Sequence, residues 1–130
     1  MMPRSRFLCF LALAASLGLA SCRSVRLDPH GEMVAVYQFG EFRMLVNGTA
    51  PQAAQAARAA FRQLDLYETG FTSSTFEARL QGRARNDQKV SVTIAEANSR
   101  QTLVRIRWGE GGNLANSRLL FDDIERNMGR

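Results

Sequence analysis

Alternation of apolar and polar residues predicts three strands in the second half of the chain. From Phe76 to Arg85 every second side chain is apolar or glycine, and the same period of two continues through Lys89–Ala95 and Leu103–Trp108. This is the period of a strand with one buried face and one exposed face. Polar turn-forming residues at 86–88 and 98–101 separate the segments, so we predict an antiparallel meander.

Two more segments with strand composition lie in the first half. Met33–Val46 is rich in β-branched and aromatic residues and ends at the turn Asn47-Gly48, so we expect one strand there, bent at Gly40. Leu66–Phe71 predicts a short strand that ends near a pair of serines.

A spacing of three and four residues between apolar side chains predicts two helices. The first follows Thr49, which can cap it, and has Pro51 in its first turn and Gln52 at the capping-box position. The second is expected from Leu114 to Met128, with Asn113 as its cap. The residues predicted to face the core are Ala53, Ala57, Ala60, Phe61 and Leu64 in the first helix and Leu114, Ser117, Phe121, Ile124 and Met128 in the second.

Together these elements predict a single small α+β domain over residues 33–130. Each helix has one apolar stripe and each long strand one apolar face, so the helices most simply cover one side of an antiparallel sheet. We expect about four strands with two helices packed on one face, in the order β-α-β-β-β-β-α with one strand short. The opposite face of the sheet should be open to solvent.

A different pattern precedes the domain. Arg4 and Arg6 lie before an apolar run, Phe7–Leu19, of roughly 13 residues, whereas a membrane-spanning helix needs about 20. A basic start followed by a short apolar run is typical of a cleaved signal peptide. We therefore expect residues 1–21 to be a signal peptide.

The end of this run, Leu19-Ala20-Ser21-Cys22, resembles the lipobox of bacterial lipoproteins. The resemblance implies cleavage between Ser21 and Cys22, fatty acids such as palmitate on the cysteine, and a lipidated tether over residues 22–32. In such lipoproteins an aspartate after the cysteine favours the inner membrane, so Arg23 favours the periplasmic face of the outer membrane. The alternative is an ordinary secretory signal followed by an unmodified cysteine.

Composition argues against several kinds of site. Cys9 lies in the predicted signal peptide and Cys22 in the lipobox, so the mature domain would contain no disulfide. The only histidine, His30, lies in the predicted tether, which leaves neither a set of metal ligands nor a Ser-His-Asp or Cys-His arrangement. We expect no metal, no cofactor and no enzymatic activity.

Charge and periodicity together indicate one candidate interaction surface. Of the 17 Lys and Arg residues two lie in the predicted signal peptide, and the remaining 15 against 12 Asp and Glu give a net charge of +3. The predicted exposed sheet face carries the arginines Arg79, Arg83, Arg85, Arg105 and Arg107. Arginine binds phosphate and carboxylate groups bidentately, so an anionic lipid, wall polymer or envelope protein, rather than nucleic acid, is the expected partner. The alternative is a solvated face kept charged against aggregation.

Two other motifs have simple structural explanations. The acidic residues Asp122, Asp123 and Glu125 include a pair of carboxylates, but the helical period places Asp122 and Glu125 on the solvated side. The segment Gly109–Asn113 lies between a strand and a helix, as phosphate-binding loops do, yet it lacks the Lys-Ser/Thr ending of a P-loop. We expect a flexible connection there.

With this order of elements, the chain resembles a family of small bacterial lipoproteins known as domain of unknown function 3568. The likeness covers about Val36–Met128, and the segments that carry it are Tyr37–Glu41, Phe61–Leu66, Leu80–Arg85, Val90–Ile94 and Ser117–Ile124. The resemblance implies a lipoprotein on the outer side of a membrane and brings no activity, cofactor or binding residue with it.

The expected function is therefore that of a non-enzymatic, membrane-anchored cell-envelope lipoprotein that serves as a structural or interaction module. The alternative is a periplasmic domain that binds a small ligand or an anionic polymer, with a pocket between helices and sheet near Trp108 and Phe121.

Overall fold

The computed structural model describes residues 22–26 and 34–129. These residues form a seven-stranded antiparallel sheet and two helices. The strands are β1 (Cys22–Arg26), β2 (Val34–Gln38), β3 (Glu41–Asn47), β4 (Tyr67–Ser73), β5 (Glu77–Arg83), β6 (Lys89–Glu96) and β7 (Gln101–Trp108), and the helices are α1 (Ala50–Gln63) and α2 (Leu114–Asn127). The predicted α+β class is confirmed, with more strands than the sequence indicated.

The sheet consists of two meanders that are joined where β3 pairs with β7. Its strand order is β1-β2-β3-β7-β6-β5-β4. The predicted meander of three strands is present as β5, β6 and β7. Helix α1 connects β3, in the interior of the sheet, to β4 at one edge.

The segment predicted as one bent strand is a hairpin. β2 pairs with β3, with Gln38 opposite Glu41, so that Phe39 and Gly40 alone form the turn. Both residues have positive φ, 53° and 76°, as a type I′ turn requires. The prediction of a single strand was wrong because Asn or Asp usually precedes the glycine in such a turn, and here a phenylalanine does.

β1 lies within the segment predicted as a tether. It pairs with β2, with Cys22 opposite Gln38 and Arg26 opposite Val34. The first residue of β1 therefore lies beside the β2–β3 turn. The signal peptide over residues 1–21 and the rest of the tether, including His30, fall outside the described residues, and the division of the chain at Cys22 stays a prediction.

β4 forms the opposite edge of the sheet and is longer than the predicted strand 66–71. It pairs with β5 and contains an irregularity between Glu68 and Gly70, where one extra residue interrupts the register. A bulge and exposed polar side chains are features that discourage pairing with the edge of another sheet.

The core lies between one face of the sheet and the two helices. Helix α1 packs on β4, β5 and β6, and α2 packs on β3 and β7. Phe42 of β3 and Phe121 of α2 are fully buried with ring centroids 5.4 Å apart. In β5, Gly82 lies under α1, and a Cβ there would lie 2.6 Å from the Phe61 ring, so glycine is needed for this close approach.

The predicted helix caps are confirmed. The amide of Gln52 donates to Thr49 Oγ1 at 3.3 Å, and the amide of Thr49 donates to Gln52 Oε1 at 2.9 Å, which completes the capping box of α1. The amide of Asn116 donates to Asn113 Oδ1 at 3.0 Å and caps α2.

Candidate functional site on the open face of the sheet

Three arginines from three strands form a row across the open face. Arg43 lies opposite Arg105, Arg105 opposite Thr93, and Thr93 opposite Arg79. Directly opposed residues of antiparallel strands project to the same side of the sheet. We call Arg43, Arg105 and Arg79 the arginine row.

One carboxylate balances only part of this row. Glu41 Oε1 lies 2.7 Å from Arg43 Nε and 4.0 Å from Arg105 Nη1, so a single acid serves two guanidinium groups. Arg79, at the other end of the row, has no carboxylate within salt-bridge distance among residues 22–26 and 34–129. The arginine row therefore carries net positive charge on an accessible surface.

A cleft of about 430 Å³ lies beside the row, toward the end of the sheet where β5 and β7 finish. Its charged lining residues are Arg83, Lys89, Arg107 and Glu110. We call it the basic cleft. Three cations and one carboxylate around a solvent-open cleft favour an anionic group over a cation or a neutral one.

Arg107 holds the rim of the basic cleft in place. Its Nη2 donates to the carbonyl oxygen of Phe39 at 2.8 Å, and its Nη1 donates to the carbonyl oxygen of Glu110 at 3.3 Å. The guanidinium group therefore ties the β2–β3 turn to the loop after β7. Its positive charge has carbonyl dipoles as partners, which leaves the charge available to an anion.

The glycine-rich loop Gly109–Asn113 packs against the β2–β3 turn. Gly112 has a φ of 82°, and a Cβ on it would lie 2.3 Å from the carbonyl oxygen of Gly40 and 2.6 Å from the Tyr37 hydroxyl. Two backbones thus meet where no side chain fits. Glycine is therefore needed at position 112 for this close contact, which the prediction of a flexible connection did not include.

The structure brings together most of the predicted arginine surface. Arg79 and Arg105 lie in the arginine row, and Arg83 and Arg107 line the basic cleft. Arg85 is the exception because β5 ends at Arg83. Arg85 lies in the following turn with its side chain 85% exposed, 3.3 Å from Asp65.

Arg43 and Lys89 belong to this surface and were missed by the sequence analysis. Arg43 alternates with the buried residues Phe42 and Met44, and Lys89 precedes the buried Val90. The same period of two that identified the other arginines was therefore a usable signal for both. It was overlooked for Arg43 because the sequence analysis assigned no faces to the first strand.

Trp108 and Phe121, near which a ligand pocket was predicted, are buried residues of the core. Trp108 is 7% exposed and donates from Nε1 to Gln88 Oε1 at 3.1 Å, and Phe121 is fully buried against Phe42. The basic cleft opens on the other face of the sheet.

The acidic residues of α2 do not form a paired site. Asp122 is exposed, Glu125 is half-buried, and Asp123 is buried with an ion pair to Arg126. In the described ranges no three His, Cys, Asp or Glu side chains are grouped as metal ligands. None of the helices described is long and apolar enough to cross a membrane.

Comparison with known proteins places the chain in a family. No curated protein matches it significantly in sequence. Residues 6–127 match the family described as "Protein of unknown function (DUF3568)". The match begins well before Val36, so it includes the whole apolar run and the lipobox-like residues as well as the folded domain. Because it covers nearly the whole chain, the protein belongs to this family of unknown function.

Proposed function

We propose that this protein is a non-enzymatic lipoprotein of the bacterial cell envelope, held to a membrane by lipid on Cys22. Its α+β domain acts as an interaction module that binds an anionic partner through the open face of the sheet. The observation that carries this proposal is the arginine row beside the basic cleft: six basic side chains on one accessible face, among them Arg79, Lys89 and Arg107.

The sequence before the domain supports the lipid anchor. The lipobox-like residues end at Cys22, and the apolar run before them is too short to span a bilayer. Two or more acyl chains hold a small domain firmly, at about 0.8 kcal/mol for each buried methylene. The outer membrane is the favoured location because Arg23, rather than aspartate, follows the cysteine.

Labelling with palmitate in cells tests the anchor. Cys22→Ser should abolish label incorporation and release the protein from the membrane fraction. Cys9→Ser is the matched control, since this cysteine lies within the predicted signal peptide, and it should leave labelling unchanged. Equal labelling of both variants would contradict the proposal.

Photo-crosslinking tests the interaction face. A photoreactive residue replacing Thr93, between Arg79 and Arg105, should give adducts that disappear in the Arg79→Gln/Arg105→Gln variant. The same residue at Gln55, exposed on α1, is the control and should give none of these adducts. Adducts that are identical from both positions, or that survive the loss of charge, would contradict a specific interaction face.

A second candidate is a receptor for a small soluble anion. The basic cleft favours it, because a volume of about 430 Å³ is large enough to hold a phosphate or carboxylate ester. Protection of Lys89 from amine-reactive reagents by a soluble organic phosphate, in the absence of any membrane, distinguishes this candidate from a membrane-bound partner.

A further inference from the structure

The start of β1, the end of β5 and the end of β7 are far apart in sequence but lie at one end of the sheet. β1 begins at Cys22, opposite Gln38, so the proposed lipid site adjoins the β2–β3 turn. Along the same end, β7 finishes at Trp108 opposite Val90, and β5 finishes at Arg83 opposite Lys89. We call this the anchor end of the sheet.

The anchor end carries cations that face the open side. Lys89 and Arg107 line the basic cleft, and neither has a carboxylate within salt-bridge distance in the described part of the chain. Arg83 pairs with Asp87 at 3.0 Å, but the Asp87 side chain is 81% exposed. Exposed ion pairs of this kind contribute little stability, so Arg83 can exchange Asp87 for another anion.

Two exposed aromatic side chains flank these cations. Phe39, in the β2–β3 turn, is 69% exposed, and Tyr67, opposite Arg83 on the edge strand β4, is 73% exposed. Four strand spacings, about 20 Å, separate β3 from β4. Aromatic and basic side chains in one surface are the combination found where proteins contact the head-group region of a bilayer.

The backbone presents Phe39 to solvent in an unfavourable conformation. Its φ of 53° lies in the left-handed region, which bulky side chains rarely occupy. The surroundings maintain this geometry, because Arg107 donates to the Phe39 carbonyl oxygen and Gly40 packs against Gly112. Strain that is held in place this way is characteristic of functional positions.

We infer that the anchor end rests on the bilayer that holds the lipid, with Phe39 and Tyr67 in the head-group region and the basic cleft on the phosphates of anionic lipids. This inference rests on the proposed lipidation of Cys22. The partner of the basic cleft is then an anionic phospholipid, and the arginine row, farther along the sheet, stays exposed to other partners.

The position of Cys22 favours a lipid, rather than a soluble anion or an acidic protein, as the partner of the basic cleft. A lipid on the first residue of β1 keeps the neighbouring turn within a few residues' length of the membrane surface at all times. The local concentration of lipid phosphate at the basic cleft is then far above that of any soluble partner. Basic residues this close to an anionic surface are attracted to it.

The single lysine of the chain provides a direct test. The purified lipoprotein is inserted into vesicles of phosphatidylcholine alone, or of phosphatidylcholine with about a quarter phosphatidylglycerol, and Lys89 acetylation by an amine-reactive reagent is followed by mass spectrometry. Lys89 should react about fivefold or more slowly in the anionic vesicles. Raising the salt concentration to about 0.5 M should remove most of this protection, because it shortens the range of the electrostatic attraction.

Matched variants identify the residues responsible. Phe39→Asn and Tyr67→Ser should each weaken the protection of Lys89. The control Phe76→Asn removes an equally exposed phenylalanine at the opposite end of the sheet and should have no effect. Circular dichroism verifies that each variant is folded.

Flotation of the vesicles separates failure of this inference from failure of the anchor. Protein that floats with both vesicle types while Lys89 reacts equally in both would overturn the inference and leave the anchor proposal intact. Protein that does not float would overturn both. Protection by inorganic phosphate alone, equal in both vesicle types, would assign the basic cleft to a soluble anion and also overturn the inference.

Discussion

At the scale of single residues, the β2–β3 turn and the loop after β7 depend on each other. Gly40 and Gly112 allow their backbones to touch, and Arg107 donates hydrogen bonds to both segments. Phe39 has positive φ because of this arrangement, although its side chain contributes little to the core. The backbone geometry of Phe39 is therefore maintained by its neighbours, and its side chain is exposed at the surface.

Replacing Phe39 with asparagine should stabilise the fold. Asparagine tolerates the left-handed conformation that costs other L-residues about 1–2 kcal/mol, and Asn-Gly is the preferred pair in this turn. We expect Phe39→Asn to raise the free energy of unfolding by about 0.5–1 kcal/mol in urea titrations. A clear loss of stability would show that the Phe39 ring supports the fold.

A methyl group at Gly112 should be far more damaging than one at Gly111. Gly112→Ala would place its Cβ 2.3 Å from the Gly40 carbonyl oxygen at a φ of 82°, whereas a Cβ on Gly111 meets nothing within 4 Å. Overpacking and backbone strain together should cost about 2–4 kcal/mol at Gly112. Thermal unfolding of both variants measures this, and equal melting temperatures would contradict the contact.

At the scale of elements, local patterns determined what was predictable. Alternation within β5, β6 and β7, and the capping residues Thr49 and Asn113, depend on neighbours a few residues away, so the sequence predicted them correctly. The pairing of β3 with β7 joins residues about sixty positions apart and leaves no local signal.

Long-range strand pairing also determined how much of the candidate site could be predicted. Arg79 and Arg105 were recognised from alternation on their own strands. Arg43 joins them only through the β3–β7 pairing. Lys89 lies opposite Arg83 in the β5–β6 hairpin, but it joins Arg107 only at the cleft that both residues line. A sequence pattern indicates which face of a strand a residue occupies, whereas the neighbours on that face depend on strand order.

The capping box of α1 offers a test at this scale. Thr49→Ala removes the hydroxyl that accepts from the Gln52 amide and should lower the free energy of unfolding by about 1 kcal/mol. Thr75→Ala, in the exposed β4–β5 turn, should change it by less than about 0.5 kcal/mol. Equal effects in chemical denaturation would contradict a specific role for the cap.

A second contact joins α1 to the edge strand β4. Arg58 donates from Nε and Nη2 to the two carboxylate oxygens of Glu68, at 2.8 and 3.2 Å, and lies 4.4 Å from the centroid of the Phe71 ring. The hydrogen bond to Glu68 raises the pKa of Arg58. A basic group whose pKa is raised in the folded protein stabilises the fold at every pH below its pKa in the unfolded chain. The contribution of Arg58 is therefore lost only at strongly alkaline pH.

Arg58→Lys should therefore destabilise the protein even though the charge is retained. Lysine cannot form the two parallel hydrogen bonds or stack a flat guanidinium group on Phe71. Arg62→Lys, an exposed substitution on the same helix, should have no such effect. An equal decrease in melting temperature for the two variants would contradict a specific contribution of the contact of Arg58 with Glu68 and Phe71.

At the scale of the whole molecule, the two faces of the sheet differ in their chemistry. The helices cover one face and complete the core, while the other carries the arginine row and the basic cleft. If Cys22 carries lipid, the anchor end lies at the bilayer and the arginine row extends away from it. A small domain of this kind would then present a fixed, charged surface at a defined height above the membrane.

We propose that Cys22 is the lipid-bearing first residue of the mature protein, and the membrane orientation depends on it. Mass spectrometry of the protein purified from the membrane fraction tests it most directly. We predict an N-terminal peptide that begins at Cys22 and carries the added mass of acyl chains. An unmodified N-terminus at any other residue would contradict the anchor and the membrane orientation that follows from it.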